Sequence, residues 1–486
     1  MTSSRPKDGN STAIVLFRHD LRIADNRALS AAASGFDEIL PVFIIDEESP
    51  GTRPLGGARR WWLHHSLEAL SKSLDELGAP LVLRKGRMDE IVPALAAETG
   101  AAAIFWNRRY DPPGRQADHR MEAALREAGL DAESFEGHLL HEPADLKTGS
   151  GGHYRVYSPF WRALSAMGDP RAPVDAPPKL NAPSRMPRSE RLAAWKLLPT
   201  TPDWAGGLRE AWAPGEAGAQ ERLEDFLDSG IKGYADDRDR PDMSSTSRLS
   251  PHLTHGEITP YRIWHAVREK NGIPARDAEK FLREIAWREF SWHLLFHNAE
   301  LASRNFNPGF DAFSWRGDAD DLKRWQEGRT GYPIVDAGMR QLWRTGWMHN
   351  RVRMVAASFL IKHLMTDWRK GEEWFWDTLV DADPASNAAS WQWVAGSGAD
   401  AAPYFRIFNP ILQGEKFDPE GDYVRAFVEE VKDLPDRFVH KPWEAGADAL
   451  DKAGLALGAT YPRPIVDHGQ ARQRALAAYE RVKEAS

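Results

Sequence analysis

Apolar residues follow two different rhythms along this chain. In the first third they come as short unbroken runs. Ala13–Phe17 (AIVLF) and Ile39–Ile45 (ILPVFII) have strand length, Leu81–Leu83 reads as part of a third strand, and Ala102–Trp106 as a fourth. Between them the spacing turns to three and four, so Trp61 to Leu77 predicts a helix with Gly78 as its stop. Strands alternating with helices predict an α/β unit built on a doubly wound parallel sheet of Rossmann type. Such sheets often hold a ligand at the carboxyl ends of their strands. No GxGxxG follows the first strand, so the ordinary dinucleotide fingerprint is missing. A purely structural α/β unit stays an open reading here.

From about Pro143 to Pro202 both rhythms fade. Gly149 to Gly152 and Asp169 to Pro187 are rich in Pro, Gly, Ser and Ala, the composition of a long surface connection. Beyond it the pattern is helical to the end. Val352, Val355, Ala356, Phe359 and Leu360 form an apolar stripe at three-and-four spacing. The organisation expected is an α/β domain over 12–140, a linker over 141–204, and an all-α domain over 205–486.

Composition narrows the class. At 486 residues the chain exceeds one ordinary core, and its 42% apolar content suffices to fill two. There is no cysteine, which excludes disulfides, thiolate metal sites and cysteine nucleophiles. The first ten residues are polar and unlike a secretory signal, and no apolar run is long enough to cross a bilayer. A cytoplasmic protein with no membrane partner is expected. The formal charge of −8 argues against indiscriminate binding to nucleic acid, although a basic patch can sit on an acidic body. The 20 tryptophans stand out; such rings fill cores but also suit a cofactor or electron transfer.

Four segments carry candidate chemistry. Thr246–Ser250 (TSRLS) puts hydroxyls and an arginine before a helix start, which is either a phosphate cradle or a capped polar loop. Glu284–Phe290 (EIAWREF) is either a base-stacking platform or one turn of an amphipathic helix. Gly346–Met354 (GWMHNRVRM) offers Arg351 and Arg353 to phosphate or to a buried carboxylate. Asp381 and Asp383, followed by Asn387 and Trp391–Trp393, lack companions at ligand spacing, so no metal is expected. Taken singly, each segment is better explained as ordinary structure.

Taken in order, they resemble one family. TSRLS, Trp287–Phe290 (WREF), Thr330–Asp336 (TGYPIVD), Trp347–Arg351 (WMHNR) and Tyr404–Pro410 (YFRIFNP) resemble the flavin domain of the photolyase/cryptochrome family. Phe17–Arg22 (FRHDLR), running on to Asp25–Asn26, is similar to that family's N-terminal signature, with His19 where many members have arginine. The resemblance extends from about Ile14 to Tyr479 and lies nearest the bacterial enzymes that act on cyclobutane pyrimidine dimers, class I-like or class III.

The resemblance implies an α/β antenna domain followed by a helical domain holding FAD, active as the reduced anion. Tyr234 and Thr246, Ser247, Arg248, Leu249 and Ser250 would hold its phosphates. Arg353 would pair with Asp381 beside the ring, with Ala382 and Asp383 near the cofactor and Asn387 facing flavin N5. Glu284 would hydrogen-bond a flipped pyrimidine dimer, Trp287 and Trp393 would wall it, and Asn350 and Met354 would line its pocket. Arg238, Arg288, Arg351, Arg406 and Gln413 would grip the flanking DNA backbone. Trp391, Trp368 and Trp315 match the family's electron relay. An antenna chromophore is implied near Trp106–Tyr110, methenyltetrahydrofolate rather than a deazaflavin.

Within the family, the residues favour dimer repair. Members acting on (6-4) photoproducts typically carry histidine where this chain has Asn350 and Met354. Plant-type cryptochromes usually lack tryptophan at the Trp287 position and have aspartate at the Asn387 position. A lyase that repairs UV-damaged DNA, single- or double-stranded, and works as a monomer is therefore expected. A blue-light photoreceptor is the alternative. A nucleotide-binding hydrolase or flavoprotein oxidoreductase on the α/β scaffold is a third reading.

Overall fold

The computed structural model describes residues 11–400 and 405–484; Tyr404, the first residue of the YFRIFNP motif, lies outside the described residues. Strands β1 (Thr12–Phe17), β2 (Glu38–Ile45), β3 (Val82–Lys85), β4 (Ala103–Asn107) and β5 (Asp131–Phe135) form a parallel sheet in the order β3-β2-β1-β4-β5. In β1, Ala13, Val15 and Phe17 enter one apolar core while Ile14 and Leu16 enter another on the opposite face. Burial on both faces explains why the runs are unbroken rather than alternating. Helices α1 (Arg27–Gly35), α2 (Gly57–Leu77), α3 (Met88–Thr99) and α4 (Pro112–Glu127) connect the strands. α2 ends at Gly78, whose φ of 101° suits a residue without a Cβ. β5 escapes the apolar pattern because it is an edge strand, with Asp131, Ala132 and Glu133 exposed.

The connection over 141–204 is more structured than its composition implies. It contains α5 (Tyr157–Ala166), which buries Tyr157, Phe160 and Leu164. Further on it runs along the sheet, where the Ile39 N–H donates to the Asn181 carbonyl at 2.8 Å and Glu190 N–H to the Leu83 carbonyl at 3.0 Å. Trp195 and Leu197 complete the sheet's core. A Pro-rich segment can lie extended in this way because the few N–H groups it keeps find partners on the strands.

From 205 onward the chain is helical. The stripe Val352, Val355, Ala356, Phe359 and Leu360 sits at the centre of the largest apolar core. The Asn350–Ser358 helix continues into a wider π-type turn over Phe359–His363, which carries Lys362 inside. Its Nζ donates to the carbonyls of Val394 and Arg406, each at 2.8 Å, and burial pulls its pKa down to about 7. The two parts of the molecule meet where the loop before α2 lies on the Trp368–Thr378 helix. A Cβ on Gly56 would sit 2.2 Å from the Trp376 carbonyl, so only glycine permits this approach. Among the described residues no helix is long and apolar enough to cross a membrane.

Candidate active site: a cavity among five helices

The helices Ser250–His255, Ala275–His297, Asn350–Ser358, Trp368–Thr378 and Pro384–Ala395 enclose a cavity of about 290 Å³. Two local devices aim side chains into it. Asp383 caps the Pro384–Ala395 helix by accepting from the N–H groups of Ala385 (2.9 Å) and Ser386 (2.6 Å), and its other oxygen accepts from Trp292 Nε1 at 3.0 Å. His349 caps the Asn350–Ser358 helix through Nδ1, a lone pair it keeps because burial lowers its pKa to about 4. Gly371 allows the remaining wall to close, since a Cβ there would meet the Trp391 ring at 2.1 Å.

One side of the cavity is charged. Asp381 Oδ2 accepts from Ser250 Oγ at 2.6 Å and pairs with Arg353 Nη2 at 2.9 Å. Asp381 Oδ1 is buried with no hydrogen-bond partner. A buried carboxylate oxygen left unpaired is costly, so this atom suits a ligand that brings an N–H or O–H. Asn387 donates from Nδ2 to Glu372 Oε1 (2.8 Å) and to the Glu372 carbonyl (3.1 Å). Toward the other side lie Glu284, Asn350 and Met354. Glu284 Oε2 is held by Arg238 at 2.9 Å, while its Oε1 is buried, makes no hydrogen bond and lies 3.4 Å from Lys280 Nζ.

The expected site residues divide as follows. Tyr234, Ser247, Leu249, Ser250, Arg353, Asp381, Ala382, Asp383 and Asn387 line this one cavity, together with Glu284, Arg288, Asn350, Met354 and Trp391. Thr246 and Arg248 turn the other way, into a second cavity of about 400 Å³. There the Arg248 guanidinium lies 4.4 Å from the Trp212 ring and 5.2 Å from Trp347. Burial and the nearby Arg222 lower its pKa to about 10. The backbone turns at Arg248, whose φ is 53°, so the five residues of the motif do not share one face. Arg288, expected on DNA phosphate, turns inward instead. Its Nη1 donates to the His138 carbonyl and its Nη2 meets His138 Nε2, both at 2.9 Å. A guanidinium this buried needs acceptors, and the first domain offers them.

Trp287 and Trp393 are not part of the cavity lining. Trp287 stacks flat on Tyr157, with centroids 3.6 Å apart, and Trp393 donates from Nε1 to the Asp400 carbonyl at 3.1 Å. Arg351 pairs with Asp239 at 2.6 Å, Arg406 is exposed, and Gln413 Oε1 is buried without a partner. Trp391 packs on Phe375 at 4.9 Å and Trp325 at 6.2 Å. Trp368 is fully buried with its Nε1 on Asn305, and Trp315 is half-buried against Phe313. Sequence reasoning did not find Glu372, which looks like a surface acid beside Glu373, nor its partner Arg53.

Two family models match. Residues 13–179 match the DNA photolyase model and residues 281–481 match the FAD binding domain of DNA photolyase. A deoxyribodipyrimidine photo-lyase of Agrobacterium fabrum is 60% identical over 472 residues, spanning 97% of this chain and 98% of that one. The chain belongs to the DNA photolyase family. Cryptochrome-2 of Arabidopsis thaliana is 36% identical over 97% of this chain and 79% of its own length. The crystal structure of a bacterial class III photolyase from Agrobacterium tumefaciens superposes with a TM-score of 0.96 at 58% identity, covering 99% of this chain and 100% of that one. FAD is the cofactor of the photolyase domain matched here. The unpaired Asp381 Oδ1, the Arg353 guanidinium and the Asn387 amide fit a planar ring that carries both donors and acceptors.

A third cavity, of about 240 Å³, opens at the carboxyl ends of β1 and β2, against Trp376. Arg18, His19, Arg53, Arg59 and Arg109 contribute to its wall. Burial, then Arg109 and Arg59, push His19 well below the ordinary histidine range. Asp111 would be raised by burial, but Arg109 beside it holds it down to about 2. A neutral imidazole at position 19 spares this wall one more positive charge.

Proposed function

We propose that this protein is a photolyase that splits cyclobutane pyrimidine dimers in DNA under light. When bound, reduced FAD supplies an electron on excitation and takes it back after the dimer has opened. The observation that carries this reading is that one cavity holds both kinds of side chain the task requires. Arg353, Asp381 and Asn387 supply charge and a side-chain amide suited to biasing a flavin. Glu284 Oε1 supplies a buried acceptor for the edge of an extruded base, and Met354 an apolar contact. Extrusion costs least for a lesion that already pairs badly, which favours damaged over intact DNA. Trp287 and Trp393 act as the outer walls, and Arg238, Arg351, Arg406 and Gln413 serve the flanking backbone. Trp391, Trp368 and Trp315 return electrons to an oxidised flavin.

The β1–β2 cavity takes the antenna. Arg59, fully buried with Nε unpartnered, suits an anionic tail, which favours methenyltetrahydrofolate with its glutamate carboxylates. The protein works on single- or double-stranded DNA, as a monomer, in the cytoplasm. The photoreceptor alternative draws support from the plant cryptochrome relative and predicts flavin photoreduction without dimer splitting. The lesion preference is tested by illuminating pre-reduced protein with DNA carrying either a thymine dimer or a (6-4) photoproduct. Loss of the dimer alone is expected. Loss of the (6-4) product would overturn the assignment of Asn350 and Met354.

A further inference from the structure

Asn387 is reached from the other domain. Arg53, in the loop before α2, lies 4.3 Å over the Trp376 ring, and its Nη1 pairs with Glu372 Oε1 at 2.7 Å. That same oxygen accepts from Asn387 Nδ2 at 2.8 Å. The loop itself is fastened just after Arg53. The Pro54 carbonyl accepts from Trp376 Nε1 at 2.9 Å, and the Gly57 N–H donates to Asp377 at 2.8 Å. The Gly56 contact described above closes the same surface. One continuous line therefore runs from the wall of the β1–β2 cavity, through Arg53 and Glu372, to an amide in the wall of the helical cavity.

We infer that Arg53 is a positioning residue for the flavin site. It anchors the Glu372 carboxylate so that the Asn387 amide is locked with its nitrogen away from the ring and its oxygen toward it. An amide's two ends are told apart only by their partners. Asn387 Nδ2 faces a carboxylate and a carbonyl, groups that accept, while Oδ1 has no partner among the described residues. Glu372 is almost fully buried, with Arg53 and Asn387 as the side chains that meet its Oε1. With Arg53 gone, a buried carboxylate would keep one neutral donor. That is an expensive state, relieved when Glu372 swings toward the vacated space and releases Asn387. The antenna-domain loop thereby sets which atom the flavin meets, and an acceptor at that place favours the ring form that carries a proton to donate. Arg53 itself lines the β1–β2 cavity, so an occupant there would touch the same line.

The inference rests on FAD occupying the helical cavity, and the test separates the two. Reduction midpoints of FAD-loaded wild-type, Arg53→Met, Arg53→Lys and Asn387→Ala proteins, and of the Arg53→Met/Asn387→Ala double variant, are measured by dye-coupled titration. Arg53→Met should lose about tenfold in its preference for reduced over oxidised flavin, a midpoint about 30 mV lower for a two-electron couple. Arg53→Lys, which keeps a donor for Glu372, should recover most of it. In the Asn387→Ala background Arg53→Met should change nothing further, because the two residues act as one unit. Should Arg53→Met fail to retain FAD, Arg53→Gln carries the same comparison. An unshifted midpoint in a loaded Arg53 variant overturns the assignment of Arg53. A shift that persists undiminished without Asn387 overturns it too, since Arg53 would then act as a bare charge. Wild-type protein that takes up no FAD overturns instead the flavin reading beneath it.

Discussion

Glu284 has one hydrogen-bonded oxygen and one that meets only the Lys280 ammonium, at 3.4 Å. Arg238 fixes Oε2, and Oε1 is buried without a hydrogen bond in the same cavity wall as Asn350 and Met354. Removing a partner from a buried polar edge costs about 1–3 kcal/mol. Glu284→Ala should therefore weaken binding of dimer-containing DNA roughly tenfold or more while FAD retention stays unchanged, as read by a binding titration beside the flavin absorbance. Equal affinity would remove Glu284 from the site. The chemical types at this scale were legible, since the tetrad Glu284, Asn350, Arg353 and Asp381 meets in one cavity. What each atom does was not. Arg53 and Glu372 are 319 positions apart and no local pattern joins them, while Arg248 belongs to a phosphate-like motif yet points between two tryptophans. A residue's direction depends on its backbone, and Arg248 at φ 53° is one of the few non-glycine residues in the left-handed region.

Between elements, the informative contact is that of α5 with the Ala275–His297 helix. Tyr157 lies flat on Trp287, with ring planes 5° apart, and donates its hydroxyl hydrogen to the Arg283 carbonyl at 2.7 Å. A helix inside the supposed linker thus braces the tryptophan assigned to the lesion wall. Tyr157→Leu should free Trp287 to change rotamer and lower affinity for dimer-containing DNA severalfold, about 0.5–1.5 kcal/mol for a lost aromatic pair. The flavin content should not change, because Tyr157 is not among the residues lining the cavity. Undiminished DNA binding, measured by fluorescence anisotropy, would show that the stack is only structural. The strands buried on both faces and the long apolar stripe were readable from periodicity. β5 and α5 were not, because an exposed edge strand has little apolar signal and a short helix bounded by Gly and Pro reads as a loop.

Across the whole molecule, buried neutral histidines set the response to acid. Burial lowers His349 to about 4 and His293 and His363 to about 3, and pushes His19, His138 and His255 well below the ordinary range. Unfolded, each takes up a proton near pH 6.5, whereas folded it does so only at its lowered value. Between those limits the unfolded chain holds more protons, so stability falls as the pH drops, by about 1.4 kcal/mol per pH unit for each such group. Asp418, raised to about 6 by burial, and Glu216, Asp321, Asp336 and Asp400, also raised by burial, work the opposite way but are outnumbered by the lowered histidines. The melting temperature should be clearly lower at about pH 5 than at about pH 7. An equal or higher value at the lower pH would contradict these burials.

At this same scale the two-part architecture places an arginine-rich cavity where the two domains meet, beside the cavity among the five helices, with the Arg53 loop between them. In the function proposed, Glu284, Asn350 and Met354 in the cavity among the five helices choose the lesion. The most direct test illuminates pre-reduced protein with a single-stranded oligonucleotide containing one thymine dimer and follows the return of thymine absorbance. Recovery is expected in the light, none in the dark, and none with oxidised protein before photoreduction. Flavin that responds to light while the dimer stays intact would contradict the proposed function.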